Sequence, residues 1–237
     1  MTDQAKPHKM KQFIEDLKGI ILTPGQTLGR LMKEKEWVPV FLLLVVLVAL
    51  FTYMVFPTQM AKMAQNPQFA EFMPEGGAQD SSFARVMGTF MSLFGLFLSV
   101  VFSAFFIWLF FGIGGSGGMY GNYFSLAVNA SVIDILLTTL LGFLTLIIGI
   151  NFSGIAAPFV LLFSPDPKSL AYIVLSRINI FAIWYLVAVA AGVSVFSKLS
   201  LKKCMIISGI YFIFKAGTAI AFSYLLSQIV QSVGTGG

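Results

Sequence analysis

The chain has 237 residues, of which 57% are hydrophobic and 11% charged, and it carries a net charge of +5. Charge is about half as dense as in a soluble domain, and no charge-rich stretch is long enough to form an independent soluble unit. The basic residues gather at the ends of apolar runs, a pattern that orients a chain in a membrane and argues against a nucleic-acid surface.

Residues 10–22 place Met10, Phe13, Ile14, Leu17, Ile20 and Ile21 on one helical face and Lys11, Gln12, Glu15, Asp16 and Lys18 on the other. Two placements fit this amphipathic period: a helix lying in the membrane interface, or one packed on the cytoplasmic ends of the spans. Thr23-Pro24 reads as an N-cap followed by proline at the first helical position. A second short helix then runs to about Trp37, which marks the interface.

Five apolar runs follow, at 38–56, 86–113, 124–150, 178–196 and 205–230. Each has the roughly 20 residues a helix needs to cross about 30 Å of hydrocarbon. Only helices and closed barrels satisfy the backbone in lipid, and runs this continuous are helices. The expectation is an all-α, polytopic membrane bundle with five transmembrane helices and an amphipathic amino-terminal interfacial helix. It divides into a cytoplasmic segment, 1–37, and a transmembrane domain, 38–237. The first run starts too late and runs too long for a cleavable signal peptide.

With five spans, the side shared with the amino terminus carries ten Lys/Arg and the opposite side four, with Lys215 inside a span. That asymmetry puts the amino terminus in the cytoplasm and the carboxyl terminus outside, as for a multi-pass protein of a bacterial inner membrane.

The connection 57–85 holds Met60, Met63 and Met73, thioethers that suit packing better than copper, since no Cys or His joins them. The stretch 152–163 is too short to span and reads as re-entrant or interfacial. Small residues recur every four positions at Gly95, Ser99 and Ser103, and at Ala188 and Gly192, the pattern of close helix contacts.

Asp134 and Lys215 are the two ionisable side chains deep within runs. Each lies ten residues, roughly 15 Å, from the cytoplasmic end of its run, so the two share a depth. Pairing relieves the insertion cost of such charges, and we expect them to face each other. The pair reads either as a structural salt bridge or as part of a proton, ion or headgroup site. Asn129 and Asn179 either extend that polar set or bond neighbouring backbone.

The glycine-rich connection 112–121 lacks the Lys of a phosphate-cradling loop, and Ser116 has no base, because His8 in the tail is the only histidine. A flexible turn that contacts a partner fits better, through Gly114, Gly115, Ser116, Gly117, Gly118 and Tyr120. One His and one Cys exclude a zinc centre. Cys204, beside Lys202 and Lys203, is open to acylation or is an ordinary small apolar residue. No catalytic residue, cofactor or metal is called for.

Three stretches together resemble the Yip1 family. They are IILTPGQTLGRL ahead of the first run, GGSGGMYGNYFSLAVNASVIDIL leading into the third, and INIFAIWYLVAVAAGVSVFSKLSLKKCMIISGIYFIF through the last two. The resemblance implies five spans with the amino terminus inside and the carboxyl terminus outside. It also implies a role in membrane trafficking, where eukaryotic members bind small prenylated GTPases. The Asp-Leu-Tyr-Gly-Pro motif of those members is absent, so GTPase binding is not carried over. Asp134 stands near a position where members often have proline, and the short amino terminus is similar to the prokaryotic branch. The expected function is therefore a non-enzymatic Yip1-like membrane protein that organises lipids or protein partners at its cytoplasmic face, as a monomer or an oligomer. The alternative is a small transporter, channel or lipid-moving protein using Asp134 and Lys215.

Overall fold

Long apolar runs satisfy their backbone by coiling, and in the computed structural model every regular element among the described residues is a helix. The structure describes residues 6–64, 82–149, 163, 175 and 178–234. In chain order the helices are α1 (Lys6–Leu22), α2 (Pro24–Glu34), α3 (Val38–Ala64), α4 (Ser82–Ile113), α5 (Tyr120–Ser131), α6 (Leu137–Ile148), α7 (Ile180–Ser197) and α8 (Leu201–Gly234). A π-helical turn, Val132–Leu136, joins α5 to α6. Among the described residues, four segments are long and apolar enough to cross a membrane: Val38–Ala61, Ser82–Ile113, Tyr120–Ile148 and Ile180–Ser197.

Helix α3 continues through Pro57 to Ala64, further than its apolar run. Proline is tolerated inside such helices because neighbouring groups take up the freed carbonyl. The segments 65–81 and 152–162, which hold Met73 and the expected re-entrant stretch, lie outside the described residues.

Helices α1 and α2 form an antiparallel hairpin whose closing turn is Thr23. Pro24 occupies the first helical position, as expected, but the Thr23 side chain caps nothing and bonds back to the Gly19 carbonyl at 3.4 Å. Arg30 of α2 ties the hairpin by binding Asp16 of α1 and, at 2.6 Å, Glu34. Burial pushes the Asp16 carboxyl above its ordinary value, and the Arg30 guanidinium offsets part of that rise.

The hairpin does not rest only on the ends of the bundle. Ile20, Leu28 and Met32 are fully buried in the core with Leu126, Val189 and Val193. Among the described residues, helix α2 packs against α7 more extensively than any other two elements pack. Small residues permit that approach: a Cβ on Gly29 would stand 2.7 Å from Val195 Cγ1, and one on Gly192 would stand 2.9 Å from Leu28 Cβ. Gly25, four residues before Gly29, faces Ala191. The Trp184 indole of α7 adds a bond to the Ile21 carbonyl at 3.2 Å.

Ala188 and Gly192 thus do mark a close contact, with α2 as the partner of Gly192. The other small-residue ladder differs. Gly95 and Ser99 are exposed, a Cβ on Gly95 would meet nothing within 4 Å, and Ser103 alone is buried. Spacing of small residues permits close packing, but a partner helix must also lie on that face.

Candidate functional site: a polar ladder, an intramembrane cluster and a glycine turn

The last carbonyls of any helix lack intrahelical partners, and in an apolar bundle they need donors. For α2 these come from α5. Asn122, Ser125 and Asn129 fall on one face of α5 because they are spaced by three and four residues. Asn122 Nδ2 donates to the Met32 carbonyl at 2.8 Å, and Ser125 Oγ to that of Leu31 at 2.9 Å. Asn129 Nδ2 donates to the Glu36 carbonyl at 2.6 Å and to the Ser125 carbonyl at 2.8 Å. Asn129 therefore bonds backbone, one of the two roles its position allowed. Asn179 does likewise as the N-cap of α7, its side chain accepting from the Ala182 amide at 2.6 Å.

Further along the same chain, the π-helical turn carries Asp134. A π turn adds a residue to the helical circuit and such turns are frequent at functional sites. Asp134 is half-buried and Lys215 exposed. Among the described residues no ion pair joins them: the ion pairs present are Lys11–Glu15, Arg30–Asp16 and Arg30–Glu34. They are within electrostatic range of each other, and the Lys215 ammonium lies 5.3 Å from the centre of the Tyr185 ring. One and two turns before Lys215 on α8, Tyr211 and Ser208 are 1% exposed; among the described residues the Ser208 hydroxyl has no hydrogen-bond partner, and the Tyr211 hydroxyl has only that of Tyr185 beside it. Tyr185 and Tyr211 went unread in the sequence, although a Tyr one turn before an intramembrane Lys is a usable signal.

The glycine-rich turn is more ordered than its composition suggests. Gly115, Gly117 and Gly118 have φ of +84°, +64° and +97°, a region that only glycine enters without strain. Ser116 is buried, and its hydroxyl bonds Tyr123, whose own hydroxyl donates to the Gly117 carbonyl at 2.5 Å. The Tyr120 hydroxyl donates to the Val101 carbonyl at 3.1 Å. Of the residues expected to contact a partner, Gly115, Gly117, Gly118 and Tyr120 are exposed and Gly114 partly so, while Ser116 is spent on holding the turn. Met119, 71% exposed, joins that surface.

Cys204 is fully buried, which corrects the acylation reading: the thiol has no access to an acyl donor. Among the described residues no group of His, Cys, Asp and Glu could hold a metal ion.

Four apolar membrane-length helices, with a polar ladder inside the bundle, define an integral multi-pass membrane protein. The family model described as Yip1 domain matches residues 18–223, and the chain belongs to that family. The match takes in the hairpin turn, the ladder and the glycine turn alike. No curated protein and no solved structure matches the chain.

Proposed function

We propose that this protein is a non-enzymatic Yip1-type scaffold that organises lipids or protein partners at the cytoplasmic face of a membrane, in keeping with a bacterial inner membrane. In this reading α8 makes a fifth crossing, the amino terminus is cytoplasmic, and the carboxyl terminus is outside. Met10, Ile14 and Leu22, exposed on α1, dip into the interface beside the docked hairpin.

One observation carries the reading. The glycine turn is held rigid by Ser116 and Tyr123, yet it offers open backbone, Met119 and Tyr120 on its outside. A preorganised surface loses little entropy when it binds, which is what a docking surface needs. A photo-crosslinking residue at Met119 tests this in intact cells. Discrete adducts that vanish when Gly118→Val distorts the turn are the expected result. Equal, diffuse labelling from Met119 and from lipid-facing Phe90 would refute it.

A second reading, transport, is favoured by the buried tyrosine pair, Tyr185 lying beside the Lys215 ammonium and within electrostatic range of Asp134, with Tyr211 next to it. Intramembrane polar groups of this kind often line a pathway. Ordered water or an ion between α5, α7 and α8 in a bilayer would place transport first. Packed apolar walls there would leave the scaffold.

A further inference from the structure

A cavity of about 390 Å³ opens where α1 meets the turn between α2 and α3, lined by Gln12, Phe13, Asp16, Lys35, Glu36, Trp37, Val38 and Pro39. Its size lies within the range of small-molecule sites. Two charges in the lining are not neutralised. Asp16 is bound to Arg30, whereas among the described residues Lys35 and Glu36 form no ion pair. What remains is one cation and one anion side by side, a complement to a zwitterion. Lys35 is held at the end of α2 with φ +56°, its stem passing close to Gly121 at the start of α5.

The apolar side of the cavity indicates what the zwitterion is attached to. Phe13, Trp37, Val38 and Pro39 form that side, and Val38 begins an exposed stripe along α3. Val38, Leu42, Val46 and Leu50, each four residues apart, are 49, 57, 54 and 54% exposed. A molecule with its polar end in the cavity has a continuous apolar track for its tails, starting at the aromatic residue that precedes the first span.

We propose that this cavity binds the headgroup of a zwitterionic aminophospholipid, with the ammonium toward Glu36 and Gln12, the phosphate toward Lys35, and the acyl chains along α3. The proposal rests on the scaffold reading, in which this end of α3 lies at the cytoplasmic interface. A primary ammonium donates hydrogen bonds that a choline cannot, so Glu36 and Gln12 select phosphatidylethanolamine over phosphatidylcholine.

The test is native mass spectrometry of the full chain released from nanodiscs of equal parts phosphatidylethanolamine, phosphatidylcholine and phosphatidylglycerol. One phosphatidylethanolamine retained about tenfold over either competitor is expected, the scale of one charge-assisted hydrogen bond. Glu36→Gln should bring retention to within about twofold of phosphatidylcholine, Lys35→Gln should lower retention of all three lipids alike because each carries the phosphate, and Glu36→Asp should keep most of the preference. Neither Lys35 nor Glu36 contributes its side chain to the core, so these variants fold. Equal retention of the three lipids overturns the proposal, as does a preference that survives Glu36→Gln or a total retention unchanged by Lys35→Gln. Soluble phosphoethanolamine binding as tightly as the lipid overturns the lipid as occupant. The scaffold reading is tested apart from this, because labelling of Lys35→Cys from outside intact cells would refute the topology whatever the lipid count.

Discussion

Replacing Gly29 with alanine puts one methyl group where α2 meets α7, and the sign of its effect decides whether that contact exists. In an isolated helix the change stabilises by about 1 kcal/mol, because glycine is the poorer helix former. In the packed hairpin the new Cβ would stand 2.7 Å from Val195 Cγ1, 2.9 Å from Val195 Cβ and 3.4 Å from the Gly192 carbonyl oxygen. Valine is stiff at χ1 and a helix carbonyl does not yield, so the clash falls toward the upper part of the roughly 1–3 kcal/mol typical of overpacking. The helix-propensity gain offsets about 1 kcal/mol of that, leaving a net loss of about 1–2 kcal/mol. Val195→Ala in the same chain removes the 2.7 Å contact but keeps the Cβ, and should recover part of the loss. Thermal unfolding in nanodiscs, followed by tryptophan fluorescence, measures both variants. A Gly29→Ala protein more stable than the wild type would refute the docked hairpin.

Other substitutions probe the remaining elements. Asn129→Ala removes one of two donors to the Glu36 carbonyl, Ser125 Oγ at 3.1 Å being the other, and should cost about 0.5–1.5 kcal/mol in the same unfolding assay. Asp134→Asn and Lys215→Met should each change stability by less than about 1 kcal/mol, since no ion pair is broken. A loss of about 3–5 kcal/mol in either, restored in the double variant, would show a buried pair instead. Asp16 supplies a pH dependence. Its folded value is raised above 3.8, so its contribution to hairpin docking is full below 3.8 and is lost as pH rises through the folded value. Stability followed across that window should fall with rising pH, and Asp16→Asn should flatten the slope.

The apolar runs were legible because lipid leaves a long uncharged segment no alternative to helix. The family was legible in the segments around Pro24, the glycine turn and the last two runs, since turn residues carry more information than apolar ones. The hairpin's docking was harder to see. An amphipathic period tells which face is apolar, not whether lipid or protein covers it, and the clue lay in Gly25 and Gly29, spaced like Ala188 and Gly192. Asn122, Ser125 and Asn129 escaped notice as a set for a related reason. Their partners are carbonyls some ninety residues away, which no local pattern reveals.

The intramembrane charges show a different limit. Equal depth brought Asp134 and Lys215 within range of each other, but rotation about each helix axis decides contact. The π turn at Val132–Leu136 changes that rotation for Asp134, while Lys215 settles over Tyr185. In the glycine turn, composition suggested flexibility, and the hydroxyl pair of Ser116 and Tyr123 supplies order instead.

The proposed five-crossing bundle, with its hairpin and glycine turn on the cytoplasmic side, is tested most directly by cysteine accessibility. In a Cys204→Ala chain, single cysteines at Lys11, Met119 and Lys198 would be treated in intact cells with an impermeant maleimide, alongside cysteines at Ser82 and Gly236. Labelling from outside is expected at Ser82 and Gly236, and labelling of the other three only after the membrane is opened. Labelling of Lys198→Cys from outside, or of Gly236→Cys only after opening, would contradict it.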